Sequence, residues 1–236
     1  MSNLERFKYL NIWIHVFVIV LMISNLIGQK IVAVGPFRIS GAQLLFPITY
    51  IFGDIFTEVY GYAASRRAIW IGFLASALLA VMGMIVVALP PAPEWQGQQA
   101  FEFVFNFVPR MVTASLLAYW AGEFSNAYVM AKMKVWTKGR FLWTRTIGST
   151  AVGQLVDSTV VMVVAFAGVI SAGEIVRLIY SGYLGKVLYE AAMTPFTYLV
   201  VNKLKKAEGV DVYDVNTDFN PFHAGAKSAS DLTVGR

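Results

Sequence analysis

Residues 47–66 read P-I-T-Y-I-F-G-D-I-F-T-E-V-Y-G-Y-A-A-S-R, from Pro47 to Arg66. Ile48, Ile51, Phe52, Ile55, Phe56 and Val59 give this stretch the apolar back of a helix, yet Asp54 and Glu58 stand one turn apart within it. At about 100° per residue, Gln43, Pro47, Tyr50, Asp54, Thr57, Glu58 and Gly61 fall in one arc, so the spacing predicts a single polar stripe. Carboxylates in so apolar a helix are costly, and the rest of the chain must say where that helix lies.

The 236 residues are 57% hydrophobic and 14% charged, with a mean hydropathy of +0.61. Soluble domains carry about 25% charge. The apolar residues fall in blocks of about 20, the length of a helix crossing a bilayer, rather than the alternating segments of about 10 that build a barrel. The sequence therefore predicts an all-α integral membrane protein, a bundle of six transmembrane helices over about 10–29, 41–62, 67–90, 109–132, 143–170 and 175–202. Residues 1–206 form the membrane domain and 207–236 a polar cytosolic tail. No cleavage site follows the first apolar run, so it is kept as a helix.

An even number of spans puts both ends on one side. Arg6, Lys8, Arg66, Arg67, Lys132, Lys134, Lys138, Arg140, Lys203, Lys205 and Lys206 fall there, which by the positive-inside rule makes both termini cytoplasmic. The net charge of +5 is a topology signal, and no nucleic-acid signature accompanies it. The absence of Cys excludes disulfides and thiolate chemistry; no metal or cofactor is implied. Gly35-Pro36 marks a turn in the first outer connection, expected as a short hairpin flap. In the second, Trp95 and the phenylalanines from Phe101 to Phe107 suit a segment lying at the interface.

A charge at mid-membrane costs about 2.5–3.5 kcal/mol, so such groups face the bundle interior and mark a site or a pathway. The candidates are Asn25 and Gln29 on the first helix; Tyr50, Asp54 and Glu58 on the second; Glu123 and Asn126 on the fourth; Arg145, Ser149, Gln154 and Asp157 on the fifth; Lys186 and Glu190 on the sixth. Each pair also has a plain structural interpretation: Lys186 and Glu190 as an intrahelical ion pair, Arg145 as a neutraliser of Asp157 or Asp54. Polar contacts between membrane helices average only about 0.6 kcal/mol, which argues against glue as the role of all of them together. The basic runs at Arg66–Arg67 and Lys132–Arg140 read as topology determinants. In the site reading, Asp54 or Glu58 accepts hydrogen bonds from a ligand, Asn25 and Gln154 serve as amide partners, and Arg145 and Lys186 keep the carboxylates ionised. A carboxylate-rich pocket suits the amidine-like N–H edge of a guanine-type base, or an ammonium.

The pattern P-x-x-Y-x-x-x-D-x-x-x-E-V-Y-G-x-x-x-x-R from Pro47, N-x-x-x-x-K from Asn25, R-x-x-x-S-x-x-x-x-Q-x-x-D from Arg145 and K-x-x-x-E-x-x-x-T-P-x-x-Y from Lys186 resemble the queuosine precursor transporter family, within the vitamin uptake transporter group. The resemblance spans Asn25 to Asp214. It implies a bacterial inner-membrane importer of 7-cyano-7-deazaguanine and 7-aminomethyl-7-deazaguanine for tRNA modification, similar in architecture to the substrate-binding components of energy-coupling-factor transporters. It implies no cofactor and no direct contact with nucleic acid. Its surroundings are membrane lipid, and a homodimer and proton coupling through Asp54 and Glu58 are both compatible with it. Two alternatives stay open: another nucleobase or vitamin-like cargo, and an intramembrane aspartyl hydrolase using Asp54 and Asp157. No P-loop is present, so energy comes from a gradient, a partner or metabolic trapping.

Overall fold

The computed structural model describes residues 7–27, 30–34, 37–41, 45–105, 109–215, 217–222 and 233–234. The chain folds as helices α1 (Leu10–Ile27), α2 (Phe46–Ile55), α3 (Tyr62–Ala88), α4 (Gln98–Phe105), α5 (Pro109–Trp136), α6 (Leu142–Phe166) and α7 (Ala172–Glu208). Strands β1 (Ile31–Val34) and β2 (Phe37–Ser40) pair antiparallel, with Ile31 opposite Ser40, and the expected Gly35-Pro36 turn lies outside the described residues. A short antiparallel pair, β3 (Val212–Tyr213) with β4 (Thr233–Val234), lies near the C-terminus. Among the described residues, three helices, α1, α3 and α6, are long and apolar enough by length and composition to cross a membrane. Their exposed residues, such as Ile12, Ile19 and Ile23 on α1 and Leu74, Leu78 and Ile85 on α3, are those that lipid tails would cover.

Between α2 and α3 the chain makes a π-helical turn, Phe56–Tyr60, ending at Gly61. Its wider winding breaks the 3.6-residue period that the sequence implies through this segment. Glu58 therefore leaves the stripe that carries Asp54. Phe52, Phe56 and Val59 point into the main core, with Leu10, Ile14, Phe17 and Leu21 of α1.

Helices α5 and α6 touch backbone to backbone. A methyl group placed on Gly122 would lie 2.8 Å from Asp157 Cβ, and one on Gly153 would lie 2.8 Å from Asn126 Cβ. Small residues at a helix crossing allow this approach, and here it brings the polar faces of α5 and α6 together. On the other side, α2 meets α5 at Gly53, where a methyl group would lie 3.1 Å from Glu123 Oε2.

The start of α1 and the end of α7 lie together. Glu208 accepts hydrogen bonds from the Lys8 and Tyr9 N–H groups at 2.9 and 2.8 Å and from the Tyr60 hydroxyl at 2.9 Å. Two orphan amides at the mouth of α1 are thereby satisfied.

Beyond α7, residues 210–215 and 217–222 lie along the bundle. Asp214 accepts the Tyr62 N–H at 3.0 Å, Arg66 donates to the carbonyls of Asp218 and Asn220, and Trp70 Nε1 donates to Pro221 O. Phe219 rests against Tyr62 and Tyr128, and Phe222 against Trp70 and Trp120. Arg66, which the sequence suggests is only a topology marker, is therefore also a clasp for this segment.

Gly61 has φ +83°, and a methyl group on it would meet Val212 Cγ1 at 2.8 Å. Gly61→Ala is expected to cost about 1–3 kcal/mol, because φ +83° with ψ 171° lies in a backbone region open essentially to glycine alone, and to push the segment after α7 off the bundle. Limited proteolysis should then cut the C-terminal segment faster in the variant than in the wild type, together with a lower melting temperature in detergent.

Candidate functional site

The sequence-derived residues divide into two groups with opposite chemistry. The first surrounds Glu58, which is 1% exposed. Arg145 of α6 grips it with two parallel bonds, Nη2 to Oε1 at 2.7 Å and Nε to Oε2 at 3.1 Å. Lys205 of α7 donates to Oε1 at 2.7 Å, and Lys134 of α5 lies 3.8 Å from the same oxygen. Asp211, just past α7, accepts from Lys134 at 2.5 Å and from Lys205 at 2.8 Å. Lys134 also donates to the carbonyls of Glu58 and Val212, and Arg145 Nη1 to the Arg140 carbonyl and the Thr137 hydroxyl at 3.0 Å. Three cations and two carboxylates thus interlock α5, α6, α7, the π-turn and the C-terminal segment, with the donors and acceptors matched.

Burial pushes the Asp211 carboxyl up, but its hydrogen bonds and charge contacts with Lys134 and Lys205 outweigh this and hold it below the usual value. Burial likewise works against the charge on Lys205, and Glu58 and Asp211 reverse it, leaving Lys205 raised. Neither Lys134 nor Lys205 stands out in the sequence. Lys132, two residues from Lys134, is exposed, whereas Lys134 is fully buried; only the helix phase against the Glu58 turn separates them.

The second group lies between α2, α5, α6 and α7. Asp54 and Glu190 are both 0% exposed and face each other, and none of their four carboxyl oxygens has a donor among the described residues. The Asn126 amide lies beside Asp54, outside hydrogen-bond geometry. Asn126 Oδ1 and Gln154 Oε1 are also buried without partners. Tyr50 adjoins Gln154, Glu123 and Asp157, and Glu123 in turn has Asp157 and Glu190 nearby. Lys186 Nζ is bonded to Asp157 Oδ2 at 2.6 Å, so this lysine pairs across to α6 and not with Glu190 on its own helix.

Asn25 lies elsewhere, donating to Ser76 Oγ of α3 at 3.2 Å, and Gln29 falls outside the described residues. Glu123 and Asn126, which the sequence shows as polar groups on the fourth span without a place in the site, join this cluster. Their i, i+3 spacing put them on one face; the Gly122–Gly153 crossing that aims that face inward involves two distant segments. The carboxyl facing Asp54 is that of Glu190, while Asp157 is engaged by Lys186, so these contacts do not favour the alternative of an Asp54–Asp157 dyad.

A family model described as "Putative vitamin uptake transporter" matches residues 40–200. The chain belongs to this vitamin uptake transporter family. It is 31% identical over 176 residues to the "Probable queuosine precursor transporter" of Bacillus subtilis (strain 168), covering 74% of this chain and 77% of that one. It is 26% identical over 166 residues to the "Queuosine precursor transporter" of Escherichia coli (strain K12), covering 70% and 72%. No solved structure matches it. The family resemblance carried by the sequence motifs thus stands, and the chain is a transporter rather than an enzyme. The matched stretch includes Asp54 and Glu190, the two facing carboxyl groups of the second group, and also Glu58 and Arg145.

Removing one partner from a buried ion pair costs about 3–5 kcal/mol, so Glu58→Gln should lower stability sharply in thermal melts. Asp211 has a depressed value, so its contribution is present above the unfolded carboxyl pKa of about 3.9 and fades as pH falls through the folded value. Asp211→Asn should therefore lower the melting temperature at neutral pH, and the gap from wild type should close under acid conditions.

Proposed function

We propose that this chain is a bacterial inner-membrane importer of queuosine precursors, 7-cyano-7-deazaguanine and 7-aminomethyl-7-deazaguanine, which feed tRNA modification. In this reading all six long helical stretches cross the membrane, α2 with its π-turn forming the second. Both termini are cytoplasmic, and the architecture is that of the substrate-binding components of energy-coupling-factor transporters. The contact between Lys8–Tyr9 and Glu208 supports an even number of crossings, and the basic residues of the intervening turns support the cytoplasmic assignment. The names of the two relatives support the cargo.

The observation that carries the site assignment is the set of buried acceptors that have no donor among the described residues: both oxygens of Asp54, both of Glu190, Asn126 Oδ1 and Gln154 Oε1. A buried polar group left unpaired costs about 1–3 kcal/mol, so a native protein keeps six of them together for a ligand that pairs them. A guanine-type base offers that complement, with N–H groups along one planar edge. Tyr50, adjoining Gln154, and Glu123 border the same space. Arg145 and Glu58 act in this scheme as positioning residues, because their hydrogen bonds are already used within the ionic cluster.

Uptake of each base, measured by mass spectrometry in cells lacking their own importer, tests this. Asp54→Asn and Gln154→Leu should each cut uptake about 10- to 100-fold, the loss expected from one to two hydrogen bonds to a charged or buried partner, with the protein level in the membrane unchanged. Glu58→Gln should instead lower uptake in proportion to protein level. Normal uptake by Asp54→Asn would remove the cluster from the transport path.

A further inference from the structure

The unpaired cluster is unbalanced in charge as well as in hydrogen bonding. Four carboxyl groups meet there, Asp54 of α2, Glu123 of α5, Asp157 of α6 and Glu190 of α7. The ammonium among them is Lys186, and it is bonded to Asp157. Tyr50 of α2, Tyr119 of α5 and Tyr189 of α7 are the other titratable groups near them among the described residues, and Glu58, the next carboxylate along, is already bound to Arg145 and Lys205. Neighbouring like charges removed from water cannot both stay ionised without a cation. Asn126 and Gln154, more than nine-tenths buried, also present oxygens there that have no partner among the described residues, so the described residues of the cluster offer acceptors to a ligand and no cation beyond Lys186.

Resting on the transporter reading above, we propose that this site takes its planar, N–H-rich ligand only together with one positive charge, carried either by an ammonium on the ligand or by a proton shared between Asp54 and Glu190. A neutral base binds with the pair protonated. A base bearing an aminomethyl group brings its own cation, which replaces that proton.

The two ligands then have opposite proton linkage. Where the empty pair is largely deprotonated, binding the neutral base takes up a proton and its affinity falls with rising pH, by up to about tenfold per unit. Where the empty pair is largely protonated, binding the ammonium form releases a proton and its affinity rises with pH. If a fraction of the empty sites is protonated, the neutral ligand takes up the remaining fraction and the cationic ligand releases that fraction. With Glu123 in the same protonation state in both complexes, the difference between the two is about one proton at every pH at which the amine stays charged.

Calorimetric titration of the full chain in nanodiscs, repeated in buffers of different protonation enthalpy, reads this number directly. Expected is a difference of about one proton between 7-cyano- and 7-aminomethyl-7-deazaguanine in the wild-type protein, with the neutral base on the uptake side. Glu190→Gln, which leaves the pair with a single carboxyl, should abolish uptake of the proton with the neutral base and weaken the cationic one about tenfold or more. Equal proton exchange for the two bases, or binding that needs sodium when N-methylglucamine is the other cation, overturns the proposal and leaves the cargo assignment intact. Failure of both bases to bind the folded wild-type protein at any pH overturns the cargo assignment itself.

Discussion

The Glu58 carboxylate, held by the Arg145 fork and by Lys205 with Lys134 close by, is the interaction on which the arrangement of this protein depends. Four helical segments and the chain after α7 meet at it. In water such a network would contribute little. Here Glu58, Arg145 and Lys134 are at most 1% exposed, so losing any one of them strands charge in a medium that cannot solvate it. That asymmetry makes the network a register device: the bundle tolerates only the packing in which all the partners meet.

Much of this was legible in the sequence. The apolar blocks gave the helices, the cost of intramembrane charge singled out Asp54, Glu58, Arg145, Asp157, Lys186 and Glu190, and the motifs around them gave the family. What could not be read was which of them pair. A helical wheel assigns Asp54 and Glu58 to one stripe because it assumes 3.6 residues per turn throughout; the π-turn at Phe56–Tyr60 violates that assumption at the one place where it matters. Lys134 and Lys205 were hidden for another reason. A cation at the end of a span serves topology by default, and only its contact with a distant segment shows a second role.

The C-terminal segment was misleading in a similar way. Asp211, Asp214 and Asp218 made it look like a solvated tail, since charge and few apolar residues are the signature of unpacked chain. Each instead has a local partner: Asp211 the two lysines, Asp214 the Tyr62 amide, and Asp218 an Arg66 contact through its carbonyl. Phe219 and Phe222 supply the apolar contacts that composition alone underweights, settling on aromatic side chains of α3 and α5.

The division between a saturated cluster and an unsaturated one has a physical logic. Left to themselves, Asp54 and Glu190 would relax toward any donor within reach, and Arg145 and Lys205 would be the strongest. Those cations are already fixed on Glu58, and Lys186 is fixed on Asp157. The π-turn is tied on several sides, so α2 cannot rotate Asp54 toward them without breaking the network below it. Unpaired acceptors in a protein interior persist only where the surrounding structure over-determines them. The ionic cluster supplies that constraint; under the proposed function, the acceptors of Asp54, Glu190, Asn126 and Gln154 that it holds in place are preorganised for the incoming base.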